Sequence, residues 1–114
     1  MSDECIFCKI VRGDLPSEKI YEDDEIVAFN DINPAAPVHF LVIPKIHIET
    51  LDDVGEEHER LLGRMLRVAS TLARERGVAE EGYRQVINCR RAGGQIVFHI
   101  HVHILGGRQM RRMG

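Results

Sequence analysis

The stretch Phe98-His99-Ile100-His101-Val102-His103-Ile104-Leu105, followed at once by Gly106-Gly107, sets three histidines in strict alternation with β-branched residues. Alternation over this length is the pattern of a half-buried strand, because successive side chains point to opposite faces. It predicts a strand over Val97 to Leu105 with His99, His101 and His103 on one face and Ile100, Val102 and Ile104 on the other. At about 3.3 Å of rise per residue, neighbouring histidines stand roughly 6.6 Å apart and the outer pair roughly 13 Å, too far for all three to hold one metal ion. A lone histidine on such a face is ordinary. Three side by side titrate near neutrality, and their usual work is proton transfer, nucleophilic attack or metal binding.

Working outward, Gly93-Gly94-Gln95 and the Arg91-Ala92 pair before it read as a turn into the histidine strand. Glycines there let backbone N–H groups approach an anion, although a Gly-Gly pair alone more often just joins strands. Tyr83 to Cys89 reads as a further strand, with Cys89 a buried apolar residue. From Glu56 to Arg76, Leu61, Leu62, Met65, Leu66, Val68, Ala69, Leu72 and Ala73 recur at helical spacing, and Gly77 supplies a stop. His58, near its start, reads as a solvated surface residue.

His39 to Ile43 is apolar on both faces apart from His39, which suggests a central strand ending at Pro44. Asn33-Pro34-Ala35-Ala36-Pro37 is a loop. Lys19 to Glu22 and Ile26 to Asn30 are two short strands joined by Asp23-Asp24-Glu25, read as a solvated hairpin turn. Cys5 to Arg12 reads as a short helix stopped by Gly13. The expectation is one α+β domain over residues 1–114: a five-stranded, mainly antiparallel sheet with one long helix and a short N-terminal helix.

The composition, 44% hydrophobic and 29% charged, is that of an ordinary folded chain, and the net charge of −3 argues against broad nucleic-acid binding. The acidic start Met1-Ser2-Asp3-Glu4 shows no secretory leader, and no run is apolar enough to span a membrane, so the expected location is cytoplasmic. Cysteines in that compartment serve as thiols or metal ligands more often than as disulfides. Cys5-x-x-Cys8 has the spacing of a zinc pair needing two further ligands; redox chemistry is the competing reading, but no strand precedes the pair.

The segment GGQIVFHIHVHILGGRQM, from Gly93 to Met110, resembles the histidine-triad superfamily, and its Leu-Gly-Gly-Arg-Gln-Met ending is similar to the Hint branch, the histidine-triad nucleotide-binding proteins. Ile6-Phe7, Glu22-Asp23-Asp24, Ala28-Phe29, Asp31-Ile32 and His39-Phe40-Leu41-Val42-Ile43-Pro44-Lys45 resemble Hint segments in the same order. The resemblance implies a homodimeric hydrolase that cleaves the P–N bond of purine nucleoside phosphoramidates or aminoacyl-adenylate-type compounds. His101 would attack the α-phosphate to give a covalent nucleotidyl-histidine that water hydrolyses, His103 would bond phosphate or leaving group, and His39 would set the tautomer of His101.

The resemblance places Asp31 on the ribose hydroxyls, Ile6, Phe7, Ile10, Phe29, Ile32 and Leu41 around the base, and Asn88, Gly94 and Gln95 near the phosphate. Ordinary core packing accounts equally well for the apolar members, and a turn-stabilising role for Asp31. Relatives with a Cys-x-x-Cys pair complete it with two histidines, here His47 and His99, around a structural zinc, with no cofactor needed for catalysis. Ile96 departs from the serine that Hint sequences often carry beside the phosphate, a loss that oxyanion-hole deletions value at about 10²-fold. Three alternatives stand beside this: a dinucleoside polyphosphate hydrolase or nucleotidyltransferase, from which GGRQM points away; a nucleotide-binding module with little turnover; and a metal hydrolase using His99 and His101 as a zinc pair with an open position.

Overall fold

A computed structural model describes residues 5–113. The acidic start over residues 1–4, read above as lacking a leader, lies outside the described residues. In chain order the elements are α1 (Ile6–Arg12), β1 (Lys19–Glu22), β2 (Ile26–Asn30), β3 (Val38–Pro44), the long helix α2 (Glu59–Glu75), β4 (Tyr83–Val86) and β5 (Val102–Gly106), with two 3-10 turns before α2 (Leu51–Asp53 and Glu56–His58) and one before β5 (Arg91–Gly93). The strands form one antiparallel sheet in the order β1-β2-β3-β5-β4.

Strand β3 is central and covered on both faces, as its unbroken apolar run requires. On one face Phe40 and Val42 join Ile26, Ala28, Val102 and Ile104 under the stripe Leu61, Met65, Ala69, Leu72 and Ala73 of α2. On the other, Leu41 and Ile43 join Val27 and Phe29 under Phe7 and Ile10 of α1. The long helix thus has one side of the sheet to itself, and the short helix shares the other with the histidines.

Helix α1 ends where Gly13 takes a left-handed conformation at φ +85° and its N–H bonds back to Ile10. Gly106 closes β5 against α2's C-terminal extension: a Cβ there would meet the Val78 Cβ at 2.9 Å.

Strand β5 is shorter than the alternation predicted, beginning at Val102 instead of Val97. The register explains why. Val42 faces Val102, so Ile100 would face Pro44, which has no N–H to give the ladder. The chain leaves the sheet there, and the Ile100 N–H donates to the Ile48 carbonyl at 2.7 Å. His99 and His101 therefore lie on the approach to the strand, and of the three only His103 lies within it.

Strand β4 stops at Val86 for the same reason. Val86 faces His103, and β5 begins one residue further on at Val102, so residues 88–89 have no strand opposite them. Cys89 consequently lies outside any strand and is half-buried, not a core residue. The Asp23-Asp24-Glu25 run is more than a solvated turn. Asp23 accepts from the Glu25 and Ile26 N–H groups, from Tyr21 and from Arg64, while Glu25 pairs with Arg60 and Arg64, tying the hairpin to α2. His58 is half-buried and accepts the Gly55 N–H on Nδ1.

Candidate active site and metal centre

Phe29 on β2, Leu41 on β3 and His103 on β5 fall on one line across the sheet, because Phe29 faces Leu41 and Leu41 faces His103. That line floors a cavity of about 860 Å³, within the range of small-ligand sites. Helix α1 walls it with Ile6, Phe7 and Ile10, the β2–β3 connection adds Asp31 and Ile32, and Asn88, Gly94 and Ile96 close it beside His101 and His103. Eleven of the twelve sequence-expected nucleotide residues line this cavity: Ile6, Phe7, Ile10, Phe29, Asp31, Ile32, Leu41, Asn88, Gly94, His101 and His103.

Gln95 is the twelfth, and its side chain turns the other way. It is 5% exposed and fully engaged: Nε2 donates to the Glu49 and Val97 carbonyls, and Oε1 accepts the Arg90 N–H. Its own N–H goes to the Arg90 carbonyl, so Gln95 props the loop that presents Gly94. It also holds Arg90 at φ +64°, a strained conformation for a non-glycine residue. Leu15, Pro16, Ser17, Glu18, Asn30, Asn33 and Val97 complete the lining and were not expected from the sequence. The Leu15-Pro16 pair after the Gly13 stop was their one legible signal, since a left-handed C-cap turns the chain sharply.

The hydrogen bonds determine which nitrogen of each histidine carries the proton. Nδ1 of His101 lies 2.7 Å from the His99 carbonyl, which can only accept, so Nδ1 is protonated and Nε2 keeps its lone pair. The Ala35 N–H lies 2.9 Å from Nδ1 of His39, so that nitrogen accepts and Nε2 carries the proton. That proton points to Nδ1 of His103 at 3.0 Å, with the Asp31 carboxylate 3.4 Å away. Nδ1 of His103 is then an acceptor and its Nε2–H a donor. His39, expected to orient His101, is hydrogen-bonded to His103 instead; the backbone of His99 orients His101.

The same proton disposes of one cluster. Asp31, His39 and His103 approach closely enough to suggest a metal group, but His39 would have to surrender its Nε2 proton while Nδ1 is already engaged. A neutral imidazole cannot do both.

Burial chiefly pulls His101 and His39 below the ordinary histidine value, with Asp31 acting against it in both. His103 is drawn down to about 4 by burial and by the neighbouring His101 and His39, again opposed by Asp31. The triad is therefore neutral at neutral pH, as a lone-pair nucleophile requires. The rings of His101 and His103 meet edge-on with centroids 4.9 Å apart.

A second convergence lies behind His101. Sγ of Cys5 and Cys8 and Nδ1 of His47 and His99 all fall within 4.8 Å of one another. Cys5 to His99 is 3.4 Å, Cys8 to His47 3.2 Å, Cys8 to His99 3.5 Å and His47 to His99 3.2 Å. A tetrahedral ion with sulfur bonds of about 2.3 Å and nitrogen bonds of about 2.0 Å has ligand-to-ligand edges of about 3.3–3.8 Å, so the four residues fit such an ion. Nε2–H of His99 donates to the Pro44 carbonyl at 2.8 Å, which leaves Nδ1 with its lone pair toward the thiols. Burial, then the hydrogen bond and charge of Cys5, push the Cys8 thiol up to about 11. The Cys8 sulfur keeps its proton against water and releases it to a cation. Four such donors would leave a tetrahedral ion no open position, and the ring of His99 lies in this group.

The profile of the family described as scavenger mRNA decapping enzyme C-terminal binding matches residues 4–114. The purine nucleoside phosphoramidase of Escherichia coli (strain K12) is 52% identical over 113 residues, covering 99% of this chain and 95% of that one. A crystal structure of a HIT family hydrolase from Legionella pneumophila Philadelphia 1 superposes with a TM-score of 0.93 at 50% identity, over 95% of this chain and 96% of its own. A zinc-bound histidine triad family protein from Mycobacterium smegmatis follows at 35% identity and a TM-score of 0.82, over 100% of this chain and 82% of its own. With His99, His101 and His103 alternating into β5 and these matches running over nearly the full length, this chain belongs to the histidine-triad family.

Proposed function

We propose that the protein is a purine nucleoside phosphoramidase, hydrolysing the P–N bond of nucleoside 5′-phosphoramidates or aminoacyl-adenylate-type compounds and releasing the nucleoside monophosphate. The observation that carries this is the 2.7 Å bond from Nδ1–H of His101 to the His99 carbonyl, which leaves a neutral Nε2 facing the cavity. Similarity to the E. coli phosphoramidase supplies the substrate class.

Nε2 of His101 attacks the α-phosphorus as the P–N bond to the amine breaks, and the departing nitrogen takes a proton from solvent. The proton stays on Nδ1 of His101, donated to the His99 carbonyl, so the nucleotidylated ring is cationic and leaves readily. Water then adds to phosphorus and gives a proton to solvent, the P–Nε2 bond breaks with its electron pair returning to Nε2, and His101 is again neutral. Nε2–H of His103 donates to phosphate or leaving group, while His39 holds His103 in that tautomer. Asp31 accepts from the ribose hydroxyls and the apolar walls take the base. The Gly94 turn and Asn88 flank the phosphate.

The thiol–imidazole group is assigned to a structural zinc held by Cys5, Cys8, His47 and His99, which takes no step in the reaction. Strand β4 ends the sheet half-buried along its whole length, and an open edge of this kind supports a homodimer. No helix among the described residues is long and apolar enough to cross a membrane. Cys5, Cys8 and Cys89 are free thiols, which fits a cytoplasmic setting, and the net charge of −3 offers nucleic acid no broad cationic face.

The test is AMP release from adenosine 5′-phosphoramidate by the wild type and by His101→Ala at matched zinc content. Turnover should fall by at least about 10⁴-fold in the variant, as for loss of other covalent nucleophiles. Retained AMP binding with no release by either protein would leave a binding module as the better reading.

A further inference from the structure

Helix α1 carries two thiols and a pocket wall in the same two turns. Phe7 stands between Cys5 and Cys8, and its ring meets His101 edge-on at 5.0 Å and His99 at 5.9 Å. A helix of seven residues is marginal by itself. Its place on the sheet depends on the burial of Phe7 and Ile10 and on the thiols reaching His47 and His99.

A second connection runs through one residue. Nδ1 of His99 joins the thiols, its Nε2–H is anchored on Pro44, and its carbonyl accepts the Nδ1–H of His101. His99 is 0% exposed, so its ring cannot turn without moving its neighbours. Whatever fixes the ring of His99 therefore helps to fix the acceptor that orients the nucleophile.

We propose that metal binding and nucleotide binding are thermodynamically coupled through Phe7 and His99, which makes His99 a positioning residue for His101 as well as a zinc ligand. The proposal rests on the nucleotide reading above. The coupling is reciprocal: if zinc tightens AMP about 10-fold, AMP tightens zinc by the same factor.

The test uses the full-length protein with cobalt(II) in place of zinc, folded and loaded throughout. AMP should bind and shift the thiolate and ligand-field bands of the cobalt with the same saturation curve, since the imidazole of His99 adjusts as the pocket fills. Zinc affinity, measured by competition with a chromophoric chelator, should rise about 10-fold at saturating AMP. AMP should bind about 10-fold more weakly to His47→Ala, whose substituted residue is a metal ligand outside the cavity lining. Asp23→Ala, outside both sites, should keep the coupling factor; if it erases the factor, linkage runs through global unfolding and the proposal is overturned. Saturation with AMP while cobalt bands and zinc affinity stay constant overturns it too, with the nucleotide reading intact. Failure of the zinc-loaded protein to bind AMP removes both.

Discussion

Asp31 holds two positions at once. One carboxylate oxygen accepts the Asn33 N–H at 2.8 Å and the other lies 3.4 Å from Nε2 of His39, while the side chain lines the cavity. The turn-stabilising bond is present and the same side chain lines the cavity, and substitution can separate the two roles. Asparagine keeps an oxygen for the Asn33 N–H but loses the charge and one acceptor. Asp31→Asn should raise KM for a nucleoside phosphoramidate about 10-fold, the scale of one hydrogen bond to a charged group, with the melting temperature nearly unchanged. Steady-state kinetics and a thermal melt decide it; unchanged KM would remove Asp31 from ribose binding. Residue identity singled out Asp31, His101 and the Cys5/Cys8 pair in the sequence, and they converge on the cavity and on the thiol–imidazole group. It misdirected Gln95, because proximity to a Gly-Gly turn does not say whether an amide faces ligand or protein. It misassigned the partner of His39, because that depends on the register Leu41 to His103, which only the folded sheet determines. Ile96 is 89% exposed and lines the cavity, where a serine would offer a donor that isoleucine lacks.

At the scale of elements, strands β1 and β2, helix α1 and the body of α2 lie where apolar periodicity and glycine stops place them. The histidine strand does not, for a physical reason: alternation records which way side chains face, and an extended chain alternates whether or not a neighbour pairs with it. Pro44 ends the ladder, and the pattern runs on through His101 without one. The hairpin between β1 and β2 shows the opposite error, a charge run that reads as solvated and is in fact a joint. Burial pushes the Asp23 carboxyl up, but Arg64, Tyr21 and two backbone N–H groups outweigh it and hold the group well below its ordinary value. Arg64 is correspondingly raised, first by Asp23. Asp23→Ala strands two backbone donors, a phenol and a guanidinium together, and should destabilise the protein by about 2 kcal/mol. Urea denaturation reads this directly. A loss below about 0.5 kcal/mol, the range of an ordinary surface substitution, would return the run to the status of a solvated turn.

For the whole molecule, the histidine cluster makes stability depend on pH in a way its ordinary composition does not suggest. His39, His101 and His103 are all held below the unfolded histidine value of 6.5, His103 as low as about 4, with burial the first cause in each. Where a folded group is depressed in this way, the unfolded chain binds more protons between the two values, so stability rises with pH across that window. The contribution is complete above 6.5 and is lost progressively as pH falls from 6.5 toward about 4. Asp23 adds a second loss in the same direction at lower pH, since its stabilisation is present above the unfolded carboxylate value of 3.8 and disappears as the folded group protonates. Protonating one ring also works against its neighbours, because His103 lies 3.0 Å from His39 and its ring centroid 4.9 Å from that of His101. The urea midpoint of the zinc-saturated protein should therefore fall between pH 7 and pH 5, before any carboxylate titrates, and fall again below about pH 4. His103→Asn, which keeps an amide in place of the ring, should flatten the first decline. A midpoint constant from pH 7 to pH 5 would mean that these rings accept protons in the folded protein as readily as in the unfolded chain, and would undercut the neutral nucleophile on which the proposed reaction depends.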